Sequence, residues 1–234
     1  MKVTLLIPTL NEIGGMKKIM PKIKRDWVDQ IIILDGGSTD GTIEYVKENG
    51  YFLFCQKGKG LRRGYAEVLE HITGDIIITF SPDGNSLPEL ILPLINKMKE
   101  GYDMVIVSRY LEGAKSYDDD AITGFGNWMF TAIINFLFGG KYTDAMVIYR
   151  AWRKDAIIDL EVNKEIKFPF WEDLIGVWVS WEPLLSIRFA KRKLKYAEIP
   201  GDEPKRATGI RKMRPLITGS AVLFQVIQEV FFWR

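Results

Sequence analysis

Short, nearly unbroken Val/Ile/Leu runs, each stopped abruptly by polar turn residues, constrain this chain more than anything else in it. Residues 3–7, 31–34, 51–55, 76–80 and 104–107 have strand length and β-branched composition. Between them, residues 14–24, 41–48, 59–72 and 87–99 have helical spacing. Strands apolar on both faces and joined by helices predict an α/β fold: a mostly parallel, Rossmann-like sheet with helices on both faces. After Ser108 the alternation breaks down. A polar, acidic stretch (110–120) leads to a helical segment (127–138), a short strand (145–149), helical material over 172–191 and a last strand at 195–199.

The ends of three of these runs carry the chemistry. The first ends in Pro8-Thr9-Leu10-Asn11-Glu12 and the second in Asp35-Gly36-Gly37-Ser38-Thr39-Asp40-Gly41-Thr42. The fourth ends in Ser81-Pro82-Asp83-Gly84-Asn85. Pro82 forbids continuation of a buried strand and Gly84 permits a turn, which leaves a carboxylate and an amide at a strand end. In open α/β sheets ligands bind at the carboxyl ends of the strands, so the three polar ends are expected to share one crevice. Asp35 can accept hydrogen bonds from a base or ribose. Asp83 with Asn85 offers hard oxygens suited to Mg²⁺ or Mn²⁺ on a diphosphate. Each turn alone is ordinary cap and turn sequence; three in register are not.

Composition removes other chemistries. His71 is the single histidine, which excludes His-based triads and two-His zinc motifs. Cys55 is the single cysteine, expected as a buried structural thiol, so a disulfide and a thiolate zinc site are excluded. A net charge of +2 gives no global pull toward nucleic acid. Gly58-Lys59-Gly60 with Gly64 opens a helix, but Arg63 breaks the dinucleotide-binding spacing and the run follows the third strand rather than the first. The chain enters a strand pattern at once, which predicts no signal peptide. Neither 121–140 nor 215–228 reads as a transmembrane helix, the first for its asparagines and glycines and the second for its length.

Taken together, these motifs resemble family 2 glycosyltransferases, and within them the dolichyl- or polyprenyl-phosphate mannose and glucose synthases. Gly74-Asp75, Ser108-Arg109-Tyr110, Glu198-Ile199-Pro200 and Arg206-Ala207-Thr208-Gly209-Ile210-Arg211-Lys212 extend the match over nearly the whole chain. The resemblance implies a GT-A-type fold, a GDP- or UDP-sugar donor and a divalent metal, Mg²⁺ or Mn²⁺. By position, Pro8, Asn11, Glu12 and Asp35 would bind the nucleoside, and Asp83 with Asn85 the metal. Arg109 and Arg206 would face phosphates, with Lys212 as a further candidate. Ser81 stands where the family usually has the first Asp of its Asp-x-Asp, as a weaker metal ligand or a ribose contact. Asn127 and Thr131 stand where relatives often carry an Arg and a Ser for the lipid phosphate.

The acceptor sets the mechanism. A lipid phosphate is already anionic and needs no base, whereas a sugar hydroxyl needs a carboxylate, with Asp144 and Glu182 as candidates. The resemblance implies direct displacement with inversion. Asp118-Asp119-Asp120 is expected as a solvated acidic loop, and Trp171, Trp178 and Trp181 as core. Residues 1–214 are expected to form the catalytic domain, with the donor half in 1–110 and the acceptor half in 111–214. Residues 215–234 form an amphipathic helix. Ten Lys/Arg against three acids between Arg188 and Arg214 precede that helix, whose apolar perimeter is wider than a core face requires. A peripheral position on the inner face of the cell membrane follows, with homo-oligomerisation through the helix as the other reading. Three functions stand: transfer to a lipid-linked acceptor, transfer to a sugar hydroxyl in polysaccharide biosynthesis, or a non-catalytic nucleotide-sugar or membrane-binding module.

Overall fold

The computed structural model describes residues 1–164, 179, 181–207 and 214–233. Its centre is a seven-stranded sheet in the order β3-β2-β1-β4-β6-β5-β7. The strands are β1 (Val3–Thr9), β2 (Gln30–Asp35), β3 (Phe52–Cys55), β4 (Ile76–Thr79), β5 (Met104–Ser108), β6 (Arg150–Arg153) and β7 (Tyr196–Pro200). β1 pairs in parallel with both β2 and β4, so the chain winds outward in two directions from β1. That reversal opens a crevice at the carboxyl ends of β1 and β4. Leu5, Leu6, Ile7, Ile32, Ile33, Ile77 and Ile78 have at most 0% exposure, as both-face burial requires.

The helices are α1 (Ile13–Ile19), α2 (Thr42–Glu48), α3 (Leu61–Val68), α4 (Ile91–Lys99), α5 (Ala121–Phe138), α6 (Lys154–Asp159), α7 (Trp181–Lys191) and α8 (Pro215–Phe231). The expected first-half helices are shorter than their sequence patterns, because the flanking turns close as 3-10 segments such as Met20–Lys22 and Leu69–His71. α5 begins six residues before the expected start. The Asp120 side chain accepts from the Ile122 and Thr123 N–H groups, and the Thr123 hydroxyl accepts the Asp120 N–H in return, a complete capping box.

One strand expectation fails. The strand after α5 is not 145–149 but β6, and it runs antiparallel between β4 and β5. The carbonyls of Ala145, Val147 and Ile148 in the expected segment are taken by side chains instead, while Tyr149, next to β6, accepts a main-chain N–H, that of Val107 at 3.0 Å. Arg150, fully buried, donates from Nε to the Val147 carbonyl at 2.8 Å and from Nη2 to Ala145 at 3.2 Å. Ser186 Oγ and Thr79 Oγ1 donate to the carbonyls of Ala145 and Ile148. Because β6 is antiparallel, its lead-in lies at the same edge as the carboxyl ends of β1, β4 and β5. Asp144 therefore arrives at the crevice.

One smaller expectation is also corrected. Cys55 is exposed, since β3 is the edge strand of the sheet. Trp181 is core, packed on Tyr65 and Trp152, but Trp171 and Trp178 lie outside the described residues.

α5 and α8 bury polar side chains beside apolar ones such as Phe130 and Ile134, and expose many apolar ones. On α5 the polar Thr123, Asn127 and Thr131 are buried, while Ile122, Phe125, Trp128 and Phe136 are 60–87% exposed. On α8, Gln225 and Glu229 face inward with Ala221, Val222 and Val226, while Leu216, Leu223, Ile227, Val230 and Phe231 are exposed. α5 is long and apolar enough to cross a membrane by length and composition.

Candidate active site

Asp35 closes β2 and organises the first side of the crevice. Its Oδ1 accepts the Gly37 and Ser38 N–H groups at 2.8 and 2.7 Å, and its Oδ2 accepts the Thr9 and Ser38 hydroxyls. It has no exposed surface, so it shapes the 36–38 loop from beneath. Ser38 Oγ in turn accepts the Asn11 N–H at 2.8 Å, and Asn11 Oδ1 accepts the Thr39 N–H. Asn11 sits at φ 52°, a left-handed conformation that Asn tolerates and that these two bonds hold in place. Glu12 donates its N–H to Thr42 Oγ1 at 3.0 Å. Pro8 pairs with Leu34 inside β1 and β2, one residue from the strand end. Asn11 and Asp35 thus meet through Ser38.

The second side is the turn after β4. Asp83 is 7% exposed; its Oδ1 accepts the Asn85 N–H at 3.2 Å, and its Oδ2 lies 3.5 Å from Arg206 Nη2. Gly84 turns at φ 96°, and the Ala207 Cβ lies 2.6 Å from where a Gly84 side chain would begin. The Ala207 N–H also donates to the Asp83 carbonyl at 2.7 Å, so the segment carrying Arg206 is laid directly on the turn. On the other side, Gly15 of α1 brings its Cα against the Pro82 carbonyl. Arg206 also holds Asp118 at 3.2 Å. Burial acts to lower the Arg206 pKa, but the Asp118 hydrogen bond and the charges of Asp83, Asp118 and Glu12 outweigh it and raise it. Glu12 is thereby coupled to the same cluster.

The donor set at this turn is a carboxylate, an amide and the partly buried hydroxyl of Ser81. Among the described residues no group of three or more His, Cys, Asp or Glu could hold a metal alone. One carboxylate with neutral oxygens still fits Mg²⁺ or Mn²⁺, which take one or two carboxylates and complete their shell with phosphates and water. An almost buried carboxylate balanced, among the described residues, by a guanidinium 3.5 Å away is consistent with that fit.

The third side centres on Arg109, one residue past β5. Asp144, with no exposed surface, takes Arg109 Nε at 2.6 Å and Nη2 at 3.1 Å in a forked pair. Nη1 meets Glu203 at 3.0 Å and Asp119 at 3.5 Å, and Nη2 donates to Asn127 Oδ1 at 3.3 Å. Burial would raise the Asp144 pKa, but Arg109 holds it below its ordinary value. Glu198 fixes the approach by accepting the Thr143 and Asp144 N–H groups. The acidic loop is not simply solvated: Asp118 binds Arg206, Asp119 pairs with Arg109, and Asp120 caps α5.

Glu182 is bonded to a different partner. It is 2% exposed at the start of α7, where its Oε1 accepts from Tyr65 Oη at 3.3 Å. Arg188 does not pair with it but with Glu229, at 2.7 and 3.0 Å. Lys212 lies outside the described residues. Sequence reasoning missed Glu203, counted only as one acid in a basic stretch. The signal was available, since Glu203 follows β7 as Asp83 follows β4.

Residues 4–161 match the family model described as glycosyl transferase family 2. The glycosyltransferase AglJ of Haloferax volcanii is 24% identical over 232 residues, covering 97% of this chain and 71% of that protein. A dolichol-phosphate mannosyltransferase of Pyrococcus furiosus is 31% identical over 250 residues, covering 99% of this chain and 63% of that enzyme. Among solved structures, glucosyl-3-phosphoglycerate synthase of Mycobacterium tuberculosis, in complex with Mn²⁺, uridine diphosphate and phosphoglyceric acid, superposes with a TM-score of 0.69. It is 20% identical, with 97% of this chain and 76% of that one covered. That likeness establishes the expected GT-A-type fold.

Proposed function

Because the chain belongs to glycosyl transferase family 2 and is a glycosyltransferase, we propose that it moves a sugar from a nucleotide-sugar donor to a polyprenyl-phosphate acceptor at a membrane surface. The nucleoside would lie against the Asn11–Ser38–Asp35 side of the crevice, with Pro8 and Glu12 flanking it. Residues 1–110 would carry most of that donor half and 111–214 most of the acceptor half, with Arg206 and Arg109 each reaching across to the other side. Asp83, Asn85 and Ser81 would hold a divalent cation, whose bound charge offsets that of the nucleoside diphosphate leaving group. Arg206, now on Asp83, is within reach of the same phosphates, with Lys212 following in sequence. A UDP-sugar is the donor class favoured by the structural neighbour crystallised with uridine diphosphate.

The poor fit of both candidate bases carries the acceptor assignment. Asp144 is fully buried, forked onto Arg109 and lowered in pKa, so it is a weak proton acceptor that acts instead to orient the guanidinium. Glu182 is buried and engaged with Tyr65, whose hydroxyl donates to it. An acceptor that brings its own negative charge needs neither. Arg109 then positions the attacking phosphate oxygen for in-line displacement with inversion. The names of the relatives point the same way, since the Pyrococcus enzyme transfers to dolichol phosphate. The exposed apolar faces of α5 and α8 support a peripheral position at the bilayer where such an acceptor resides.

The test is a screen of nucleotide sugars with Mn²⁺ or Mg²⁺ for release of nucleoside diphosphate, with and without polyprenyl phosphate. Polyprenyl phosphate is expected to stimulate release and to become glycosylated. Stimulation by sugar hydroxyl acceptors, with none by polyprenyl phosphate, would overturn the acceptor and return a carboxylate base to the mechanism.

A further inference from the structure

Glu203 is a carboxylate that neither the donor nor the acceptor assignment uses. Its side chain is 13% exposed, and three segments of the site meet on it. Its Oε2 accepts from Arg109 Nη1 at 3.0 Å and from Ser116 Oγ, and its Oε1 accepts from Asn85 Nδ2 at 3.3 Å. Its main chain is bonded separately to the acidic loop: the Glu203 N–H donates to the Lys115 carbonyl at 2.9 Å, and its carbonyl accepts the Tyr117 N–H at 2.8 Å.

The contact with Asn85 has a polarity. An amide offers a donor end and an acceptor end, whereas an ionised carboxylate can only accept. Glu203 therefore takes the Nδ2 end of Asn85 and turns Oδ1, the only atom of that amide able to ligate a hard cation, away from itself, where its one contact among the described residues is a long one of 3.4 Å from the neighbouring Ser86 hydroxyl. A hydroxyl or amide at position 203 could receive either end and would leave the orientation open. The other oxygen of the same carboxylate meets Arg109, one residue past β5. We infer that Glu203 is a positioning residue that orients the Asn85 amide oxygen for the cation–diphosphate site and ties it to the acceptor-side Arg109. The inference rests on the transferase reading above. It differs from a loop-pinning role, because the main-chain bonds and Ser116 pin the loop whether or not Asn85 is oriented.

The full chain is titrated with Mn²⁺ in the presence of UDP or GDP, with the free Mn²⁺ signal followed by electron paramagnetic resonance. Three variants are compared: Glu203→Gln, Glu203→Asp and Ser116→Ala. Orienting partners outside the ligand shell are worth about 10–100-fold in metal affinity, which is the loss expected for Glu203→Gln. Glu203→Asp stays acceptor-only and is expected to fall between the wild type and Glu203→Gln. Ser116→Ala loosens the loop but leaves Asn85 held, so it is expected to stay within about twofold of the wild type, the range of an ordinary surface change. Melting temperatures measured alongside show whether each variant is folded. Wild-type affinity in Glu203→Gln would overturn the inference, as would a loss in Ser116→Ala as large as that in Glu203→Gln, or Glu203→Asp binding more weakly than Glu203→Gln. A wild-type protein that neither takes up Mn²⁺ nor releases nucleoside diphosphate would remove the transferase reading itself, and that failure is recognisable because it precedes any variant.

Discussion

Arg206 Nη2 lies 3.5 Å from Asp83 Oδ2, so the carboxylate best placed to hold a cation already has a guanidinium as its counter-charge. A cation arriving at Asp83 meets a like charge, which favours release of Arg206 toward the phosphates that accompany the ion. Arg206→Ala is therefore expected to bind Mn²⁺ alone at least as tightly as the wild type. Its turnover of nucleotide sugar is expected to fall by about 10²–10³, as when one preorganised donor to developing charge is removed. Asp83→Ala, by contrast, is expected to lose metal-dependent turnover altogether. Loss of Mn²⁺ binding in Arg206→Ala as deep as in Asp83→Ala would contradict the exchange.

Asp144 gives the site a pH signature. Its folded pKa lies below the ordinary 3.8, because Arg109 outweighs the effect of burial. A depressed carboxylate contributes stability that is complete above its unfolded pKa and is lost as pH falls through the folded value. Asp144→Asn should therefore be less stable than the wild type at neutral pH, by up to about 3–5 kcal/mol for a broken buried pair. Glu203 and Asp119 still face Arg109, which keeps the loss toward the lower end. The difference between the two proteins should hold steady at neutral pH and narrow below pH 3.8. Urea denaturation across pH measures it. A difference that grows on acidification would contradict the assigned direction.

The sheet and the three polar strand ends were legible in the sequence because each rests on local information. An unbroken Ile run followed by Ser-Pro-Asp-Gly-Asn can hardly be anything but a strand and its exit. What stayed hidden depends on residues far apart in sequence. The 145–149 run looks like a strand until Arg150 and Ser186 take its carbonyls, and Ser186 is 41 residues away from Ala145. Glu203 looked like a minor acid in a basic tail until β7 placed it against Arg109, 94 residues earlier. The acidic triplet looked solvated because its cations, Arg206 and Arg109, come from other strand ends. Of the candidate bases, residue type said nothing about whether a carboxylate would be free or already forked onto an arginine.

Arg188 and Glu229 fasten α8 to α7. The pair is bidentate, its side chains are 7% and 3% exposed, and Arg188 also donates to the Leu160 carbonyl at 2.7 Å. Glu229→Ala would strand a buried cation and is expected to destabilise the protein by about 3–5 kcal/mol. Replacing both partners with apolar residues, as in Arg188→Met with Glu229→Leu, removes the charge along with its partner and is expected to recover most of that loss. Chemical denaturation of the wild type and the two variants checks this. A double variant no more stable than Glu229→Ala would show that the hydrogen bonds, not the stranded charge, carry the effect.

The outward faces of α5 and α8 make the membrane reading testable. The inner face of α5 is bonded into the site, with Asn127 on Arg109 and the Thr131 hydroxyl accepting the Ala145 N–H at 3.1 Å. The helix cannot cross a bilayer without giving up those bonds, so it would lie along the surface with Phe125 and Trp128 directed into the lipid. Cations lie at the ends of these helices: the Lys191 ammonium, which donates to the Glu229 and Trp233 carbonyls, is 5.6 Å from the Phe138 ring, and the Arg192 guanidinium is 5.0 Å from that of Trp233. That arrangement suits an anionic headgroup layer over an acyl interior. Burying one large apolar side chain is worth about 1.5–3 kcal/mol. Phe125→Ser combined with Trp128→Ser should therefore weaken binding to phosphatidylglycerol vesicles by about 3 kcal/mol or more, roughly a hundredfold. Both residues are more than half exposed, so the melting temperature should hardly move. Release of nucleoside diphosphate from donor alone should be unaffected, while stimulation by vesicle-borne polyprenyl phosphate should fall with binding. Unchanged vesicle binding, together with loss of a dimer in sedimentation, would assign the same face to a second copy of the chain instead.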